Sequence, residues 1–258
     1  MGQAKSRKAE IEALKLLGPR MDPGSGDPEP TAEMARRLHT MFEVAKRNGN
    51  IDPPVNFLYS KLETTVQGFG PIPIACKKGC SYCCHVGISA TAPELLLIAK
   101  IVQRRGGEVI DRLRAAHLHT KDLSFEERYR HPNPCPMLEQ DVCSIYELRP
   151  RVCRLAVSGN ASLCGRVFRQ LTNEKIPTPT LYLGARTIYA TAMAVALKRS
   201  QLPYDAYEFI AGLMRALDVP DAERVWLSGD NIFSDVMRYP GDIFAERTTQ
   251  QVFKHAFE

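Results

Sequence analysis

The sequence predicts a mainly α protein whose helices pack around an irregular, cysteine-rich, metal-binding core. Two observations carry this expectation. Apolar residues recur at three- and four-residue spacing along most of the chain, whereas alternating strand-like stretches are scarce. All eight cysteines fall between Cys76 and Cys164, where stretches such as His131-Pro-Asn-Pro-Cys135 carry too few apolar residues to pack alone. At 258 residues the chain is long enough to bury a core of normal size without covalent staples.

Residues 1–30 read as a mobile tail, because the charged start is followed by MDPGSGDPEP, whose Pro, Gly and Asp bury too little to order themselves. Met1-Gly2 with Ser6 meets a short acylation pattern that is too brief to outweigh chance. Residues 31–258 read as one helical domain. Met34, Leu38, Met41, Phe42 and Ala45 form the first amphipathic stripe, from Thr31 to a stop at Asn48-Gly49, and Val55, Leu58, Leu62 and Val66 form the second.

Gly70-Pro71-Ile72-Pro73 then breaks the helix and delivers the chain to the cysteines. Thr91-Ala-Pro-Glu94 is a capping box with proline in the first turn, opening a helix through Leu95, Leu96, Ile98, Ala99 and Val102. Ser144-Ile-Tyr-Glu147 reads as a second capping box, placing Cys143 just before a short helix that stops near Pro150. Further stripes follow at Val167, Phe168 and Leu171, at Ile188, Ala192, Val195 and Ala196, and at Phe209, Ile210, Leu213, Met214 and Leu217 within a helix expected over 204–217. Leu181-Tyr182-Leu183 is the best strand candidate.

Charge and hydropathy exclude several classes of partner. The net charge is +5, from 34 basic and 29 acidic residues spread along the chain, which does not predict nucleic-acid binding. No apolar run approaches the roughly 18 residues of a membrane span, and the polar N-terminus is unlike a secretion signal, so a cytoplasmic protein is expected.

The chemistry is concentrated in the cysteines. The first group is Cys76-Lys-Lys-Gly-Cys80-Ser-Tyr-Cys83-Cys84, the second comprises Cys135, Cys143 and Cys153, and Cys164 follows. A disulfide framework suits small secreted domains and not this chain, and packing preference does not place four cysteines within so short a segment. Metal ligation remains. Zinc or an iron-sulfur cluster takes four thiolates, and tight C-x3-C and C-x2-C turns let Cys76, Cys80 and Cys83 converge while the second group supplies the other donors.

Eight thiols make two four-cysteine sites, or one site with spares. The side chains of adjacent Cys83 and Cys84 are expected to diverge, so that one ligates while the other packs or serves a second site. His85 and His131 flank the groups as alternative donors. A zinc ion held by four thiolates carries about −2, which calls for nearby cations. Arg149 and Arg154 are the expected charge-compensating neighbours, with Lys77 and Lys78 facing water.

The run C-x3-C-x2-C-C, followed by Cys135-Pro136 and then by Cys143-x-Ile145-Tyr146-x-x-Arg149-Pro150-x-x-Cys153-Arg154, resembles the YkgJ-like zinc- or iron-chelating cysteine-cluster family. The resemblance covers residues 72 to 165, approximately, with both halves in order. It implies that Cys76, Cys80, Cys83, Cys84, Cys135, Cys143 and Cys153 are the metal-site cysteines. Cys164 lies beyond the aligned motif as an extra ligand candidate.

One branch of that family, the flagellin lysine N-methylases, implies an alternative: an iron-sulfur cluster with S-adenosylmethionine, acting on a protein substrate. No glycine-rich nucleotide loop and no acid–base constellation accompanies the cysteines, so no catalytic residue is assigned. A non-enzymatic metal site, shaping the fold or a surface for a protein partner, is therefore the preferred expectation. The spacing Cys76-x3-Cys80-x2-Cys83 is also similar to that of radical S-adenosylmethionine enzymes, but the helical periodicity after Cys84 does not suit their partial barrel.

Overall fold

The computed structural model describes residues 27–124, 127–128, 132–172, 174–239 and 241–258. Ten α-helices and four short strands are present among them, so the chain is mainly helical. Helix α1 spans Glu29–Asn48 and buries Ala32, Ala35, Leu38, Phe42 and Ala45 along one face. It begins ahead of the expected Thr31 because Pro30 suits the first turn and the Asp27 carboxylate accepts the Glu29 N–H at 2.9 Å. Residues 1–26 of the expected tail lie outside the described residues. Helix α2, Asp52–Gln67, buries Val55, Leu58 and Leu62 of the second stripe together with Tyr59, while Val66 near its end is half-buried.

Helix α7, Thr180–Arg199, is the central element and contacts both α1 and α2. Its residues from Thr191 to Leu197 are buried on every side, as expected of a helix enclosed by neighbours rather than lying on a surface. Leu181-Tyr182-Leu183 is the start of this helix and not a strand. The N–H groups of Tyr182 and Leu183 both bond to the carbonyl of Pro179, at 3.0 and 3.2 Å. Tyr182, Ala185 and Tyr189 extend the buried stripe backwards at i, i+3, i+7, so helical periodicity outweighs a three-residue apolar run.

Two strand-to-helix units lie side by side next to this core. Strand β1, Ser89–Thr91, feeds α3, Ala92–Arg105, and strand β4, Ala206–Glu208, feeds α8, Phe209–Asp218. The strands pair antiparallel with Ser89 opposite Glu208, Ala90 opposite Tyr207 and Thr91 opposite Ala206. Residues 206–208 are therefore extended, and the helix expected from 204 begins at Phe209. The pairing sets α3 against α8 so closely that a Cβ at Gly212 would lie 2.5 Å from Leu95 Cδ1.

Carboxylates cap both helices. Glu94 accepts the Thr91 N–H at 3.0 Å, as the first capping box predicts, and also accepts a bond of 2.8 Å from the Thr91 hydroxyl. Glu208 accepts the N–H groups of Ile210 and Ala211 at 3.1 and 2.7 Å. Helix α4, Gly107–Thr120, contacts both α3 and α8. The C-terminal helix α10, Arg247–Phe257, contacts α1 and α7, while the short α9, Ala222–Leu227, buries Trp226 edge-on to Phe42.

The remaining elements carry the cysteines and are short. They are a 3-10 turn at Tyr82–His85, a hairpin of β2 (Leu138–Glu139) with β3 (Val142–Cys143), a 3-10 turn at Tyr146–Leu148, helix α5 (Arg151–Arg154) and helix α6 (Ala161–Gln170). The hairpin turns through Gln140 and Asp141, at φ 49° and 61°, the double positive-φ geometry that matches strand twist. The second capping box does not form. Ser144 is bound into the hairpin instead, its N–H and hydroxyl both donating to the Met137 carbonyl at 2.8 and 2.9 Å, and the following turn has no side-chain cap. Among the described residues, no helix is long and apolar enough to cross a membrane.

Candidate metal centre

The two cysteine groups meet through main-chain bonds. In the first group, Gly79 takes φ 82°, a conformation that glycine adopts without penalty, and Cys80 N–H closes a tight turn onto the Lys77 carbonyl at 2.9 Å. The Tyr82–His85 turn follows, with Cys84 N–H bonded to Ser81 O at 2.9 Å. Cys135 N–H donates to Cys84 O at 2.7 Å and Asn133 N–H to His85 O at 3.0 Å, drawing the second group onto the first. The Ser81 hydroxyl ties the same loop to the hairpin through Asp141, at 2.6 Å.

Other segments complete the ring. Ala75 N–H bonds to Ser158 O at 2.9 Å, and Cys76 Sγ accepts the Ser158 N–H at 3.4 Å. Cys143 ends β3, opposite Leu138. Cys153 sits in α5, whose first N–H, that of Arg151, donates to Glu94 Oε1 at 2.6 Å. Glu94 thus joins the cap of α3 to the cysteine-bearing helix, and it also accepts the Tyr59 hydroxyl at 3.2 Å. Cys164 is buried in α6, which lies against the Tyr82–His85 turn.

All eight cysteines line one cavity of about 910 Å³, and all eight are free thiols. Burial, then the neighbouring Cys135, Cys83 and Cys143, pushes the Cys153 thiol well above its ordinary range. Burial also pushes Cys135 up to about 11 and raises Cys76 and Cys143, with Arg149 partly offsetting the effect at Cys143. Cys83 is raised most directly by a hydrogen bond with Cys84, then by burial. Cys76, Cys83, Cys135, Cys143 and Cys153 are thereby biased toward the protonated form, which a bound cation would have to displace.

As placed, no three Cys, His, Asp or Glu side chains among the described residues stand in ion-ligating geometry. The donor chemistry nevertheless suits a soft metal, because eight thiols face one space and two guanidinium Nε–H groups on its walls, from Arg149 and Arg186, are buried without an acceptor.

The expected neighbours divide in role. Arg149 stacks on Tyr146, 3.6 Å from the ring centroid, and lies near enough to Cys83 and Cys143 to favour their thiolates. Arg154 is engaged elsewhere: it ion-pairs with Glu63, donates to the carbonyls of Arg149 and Glu147, and stacks on Tyr59 at 4.1 Å. Lys77 and Lys78 are exposed at the cavity. His85 lines it, with Nδ1 3.0 Å from Ser81 O, while His131 lies outside the described residues.

Three features of the site were not anticipated from sequence. Glu94 was visible only as half of a capping box. Arg128 lines the cavity and forms a buried ion pair with Glu208 at 3.1 Å. Arg186 reaches the cavity from α7, and the signal that could have found it is an arginine at i+4 from Tyr182 and i−3 from Tyr189, beside a buried stripe.

Neither curated proteins nor solved structures gave a match to this chain. A family model did match, over the segment that holds every cysteine: residues 75–165 carry the CxxCxxCC domain, described as "Putative zinc- or iron-chelating domain".

Proposed function

We propose that the protein binds zinc or iron through the thiolates of Cys76, Cys80, Cys83, Cys84, Cys135, Cys143 and Cys153, with Cys164 as an additional donor. The observation that carries this reading is the convergence of eight thiols, from loops, a hairpin, a one-turn helix and a longer helix, on one cavity. Soft thiolate donors select zinc or iron-sulfur clusters over hard cations such as magnesium. Closed four-thiolate zinc has no open coordination position, so under this reading the site shapes the fold or a protein-partner surface. A reducing, cytoplasmic setting accords with eight unpaired thiols.

Metal analysis and absorption spectroscopy of anaerobically purified protein test the proposal. Stoichiometric zinc in a colourless protein, or iron in a brown one with charge-transfer bands, supports it. Absence of both metals refutes it.

A second reading is favoured by the cavity's size. About 910 Å³ lies within the range of small-molecule pockets, and aromatic and aliphatic residues such as Phe168, Phe209 and Ile145 line it beside the thiols. An iron-sulfur centre of the YkgJ-like family would leave space there for S-adenosylmethionine and protein-lysine methylation. Binding of S-adenosylmethionine that is abolished in Cys83→Ala supports this alternative, and wild-type protein that does not bind it excludes it.

A further inference from the structure

Four arginines line the cysteine cavity: Arg128, Arg149, Arg154 and Arg186. Two have carboxylate partners, Arg128 with Glu208 and Arg154 with Glu63. Among the described residues, no ion pair or side-chain hydrogen bond to a carboxylate is formed by Arg149 or Arg186. Arg186 is half-buried, its Nη2 donates to the Leu155 carbonyl at 3.1 Å, and its Nε–H has no acceptor among the described residues. A second guanidinium, that of Arg151, donates to the Arg186 carbonyl at 3.3 Å and repels the Arg186 charge.

A guanidinium cannot shed its proton, so its charge must be balanced where water is scarce. Arg186 lines the same cavity as Cys83 and Cys153, and the groups whose negative charge would act on it are Tyr239, Cys153 and Cys83. Tyrosine is neutral at physiological pH, and a protonated thiol provides no charge. Metal-bound thiolates are different, since ligation keeps them deprotonated and a four-thiolate centre is net negative.

We propose that Arg186, supplied by α7 from outside residues 75–165, is a counter-cation of the metal–thiolate centre and acts beside Arg149. This rests on the metal-binding reading above. The central helix of the fold is then also a wall of the metal site, and the matched segment is electrostatically incomplete without it.

The test uses the full chain, reduced and metal-free under anaerobic conditions. Wild type, R186Q and R186K are titrated with Zn²⁺ alone, and in a second series with Fe²⁺ alone, against a competing chelator. Melting of each metal-free protein is followed in parallel. Wild type should bind, R186Q should bind about ten- to a hundredfold more weakly, and R186K, which keeps the charge, should lose less. Metal-free R186Q should melt within a few degrees of metal-free wild type, because it removes one hydrogen bond to the Leu155 carbonyl and a cation that has no anionic partner until metal arrives.

Unchanged affinity in R186Q overturns the inference while leaving the metal-binding reading intact. Equal losses in R186Q and R186K overturn it too, by making the charge irrelevant. Metal-free R186Q that unfolds also counts against it, since Arg186 would then serve the fold without the ion. If wild type takes up neither metal, the metal-binding reading itself fails and the inference falls with it.

Discussion

The backbone N–H of Cys135 donates to the carbonyl of Cys84 at 2.7 Å, so the two cysteine groups are joined by the main chain itself. The backbone bond positions the loops, and under the proposed metal-binding reading an ion would draw in and deprotonate the thiols.

Removing the metal should loosen the loops while the helices persist. Binding at a thousand times the dissociation constant stabilises a folded state by about 4 kcal/mol. Chelation should therefore lower the melting temperature and speed hydrogen exchange at 76–85 and 135–164. The far-UV helical signal from α1 and α7 should largely remain. Acid should act in the same direction: ligation depresses the effective thiol pKa in the folded state, so this stabilisation is present at high pH and lost as pH falls and protons displace the ion. Equal melting temperatures with and without metal would contradict this expectation.

Glu94→Ala should be among the most destabilising single substitutions. The Glu94 carboxylate accepts from Thr91 N–H, the Thr91 hydroxyl, the Tyr59 hydroxyl and Arg151 N–H, all close to the cysteine region. Leaving several such donors without an acceptor should cost about 3 kcal/mol or more, read as a lower midpoint in urea. Glu94→Gln keeps one acceptor oxygen and should lose less. A change below about 0.5 kcal/mol for the alanine variant would show that water takes over the carboxylate's role.

Gly212→Ala should strain the α3–α8 contact. The added Cβ would meet Leu95 Cδ1 at 2.5 Å, and Leu95 is fully buried, so its side chain has little room to turn away. Overpacking of this kind costs about 1–3 kcal/mol. In a double-mutant cycle, Gly212→Ala combined with Leu95→Ala should be less damaging than the sum of the two single changes. Strict additivity would argue against the clash.

Acid should also weaken the seat of the C-terminal helix. His39 lies edge-on to Phe257 with ring centroids 5.3 Å apart, and its Nδ1 is 2.8 Å from Ser200 Oγ. Burial lowers its pKa below the ordinary imidazole value, and Arg199 and Lys46 add to that effect against an opposing contribution from Glu43. For a base whose folded-state pKa is depressed, the unfolded chain takes up protons first, so stability declines as pH falls below about 6.5. His39→Gln should flatten this part of the stability profile, and proteolysis near α10 at mildly acidic pH gives a local readout. A profile identical to wild type would remove His39 as the cause.

Much of this molecule was legible in the sequence because the interactions responsible are local. The stripe from Leu38 to Ala45 specifies a helix face through side chains only one turn apart, and Thr91 with Glu94 specifies a helix start within four residues. The cysteine spacing is likewise a local pattern, and it carries the match to the zinc- or iron-chelating domain model over residues 75–165.

Other features depended on segments distant in sequence. Leu181-Tyr182-Leu183 suits either a strand or a helix by itself, and burial of Tyr182 in one stripe with Ala185 and Tyr189 selects the helix. Ser144 could cap a helix, but the Met137 carbonyl lies within reach across the hairpin and claims it. Arg154 and Arg186 look alike as charged residues near apolar ones. Only the folded chain gives Arg154 the carboxylate of Glu63 and leaves Arg186 facing thiols, because charge compensation is a property of three-dimensional proximity, which residue order does not contain.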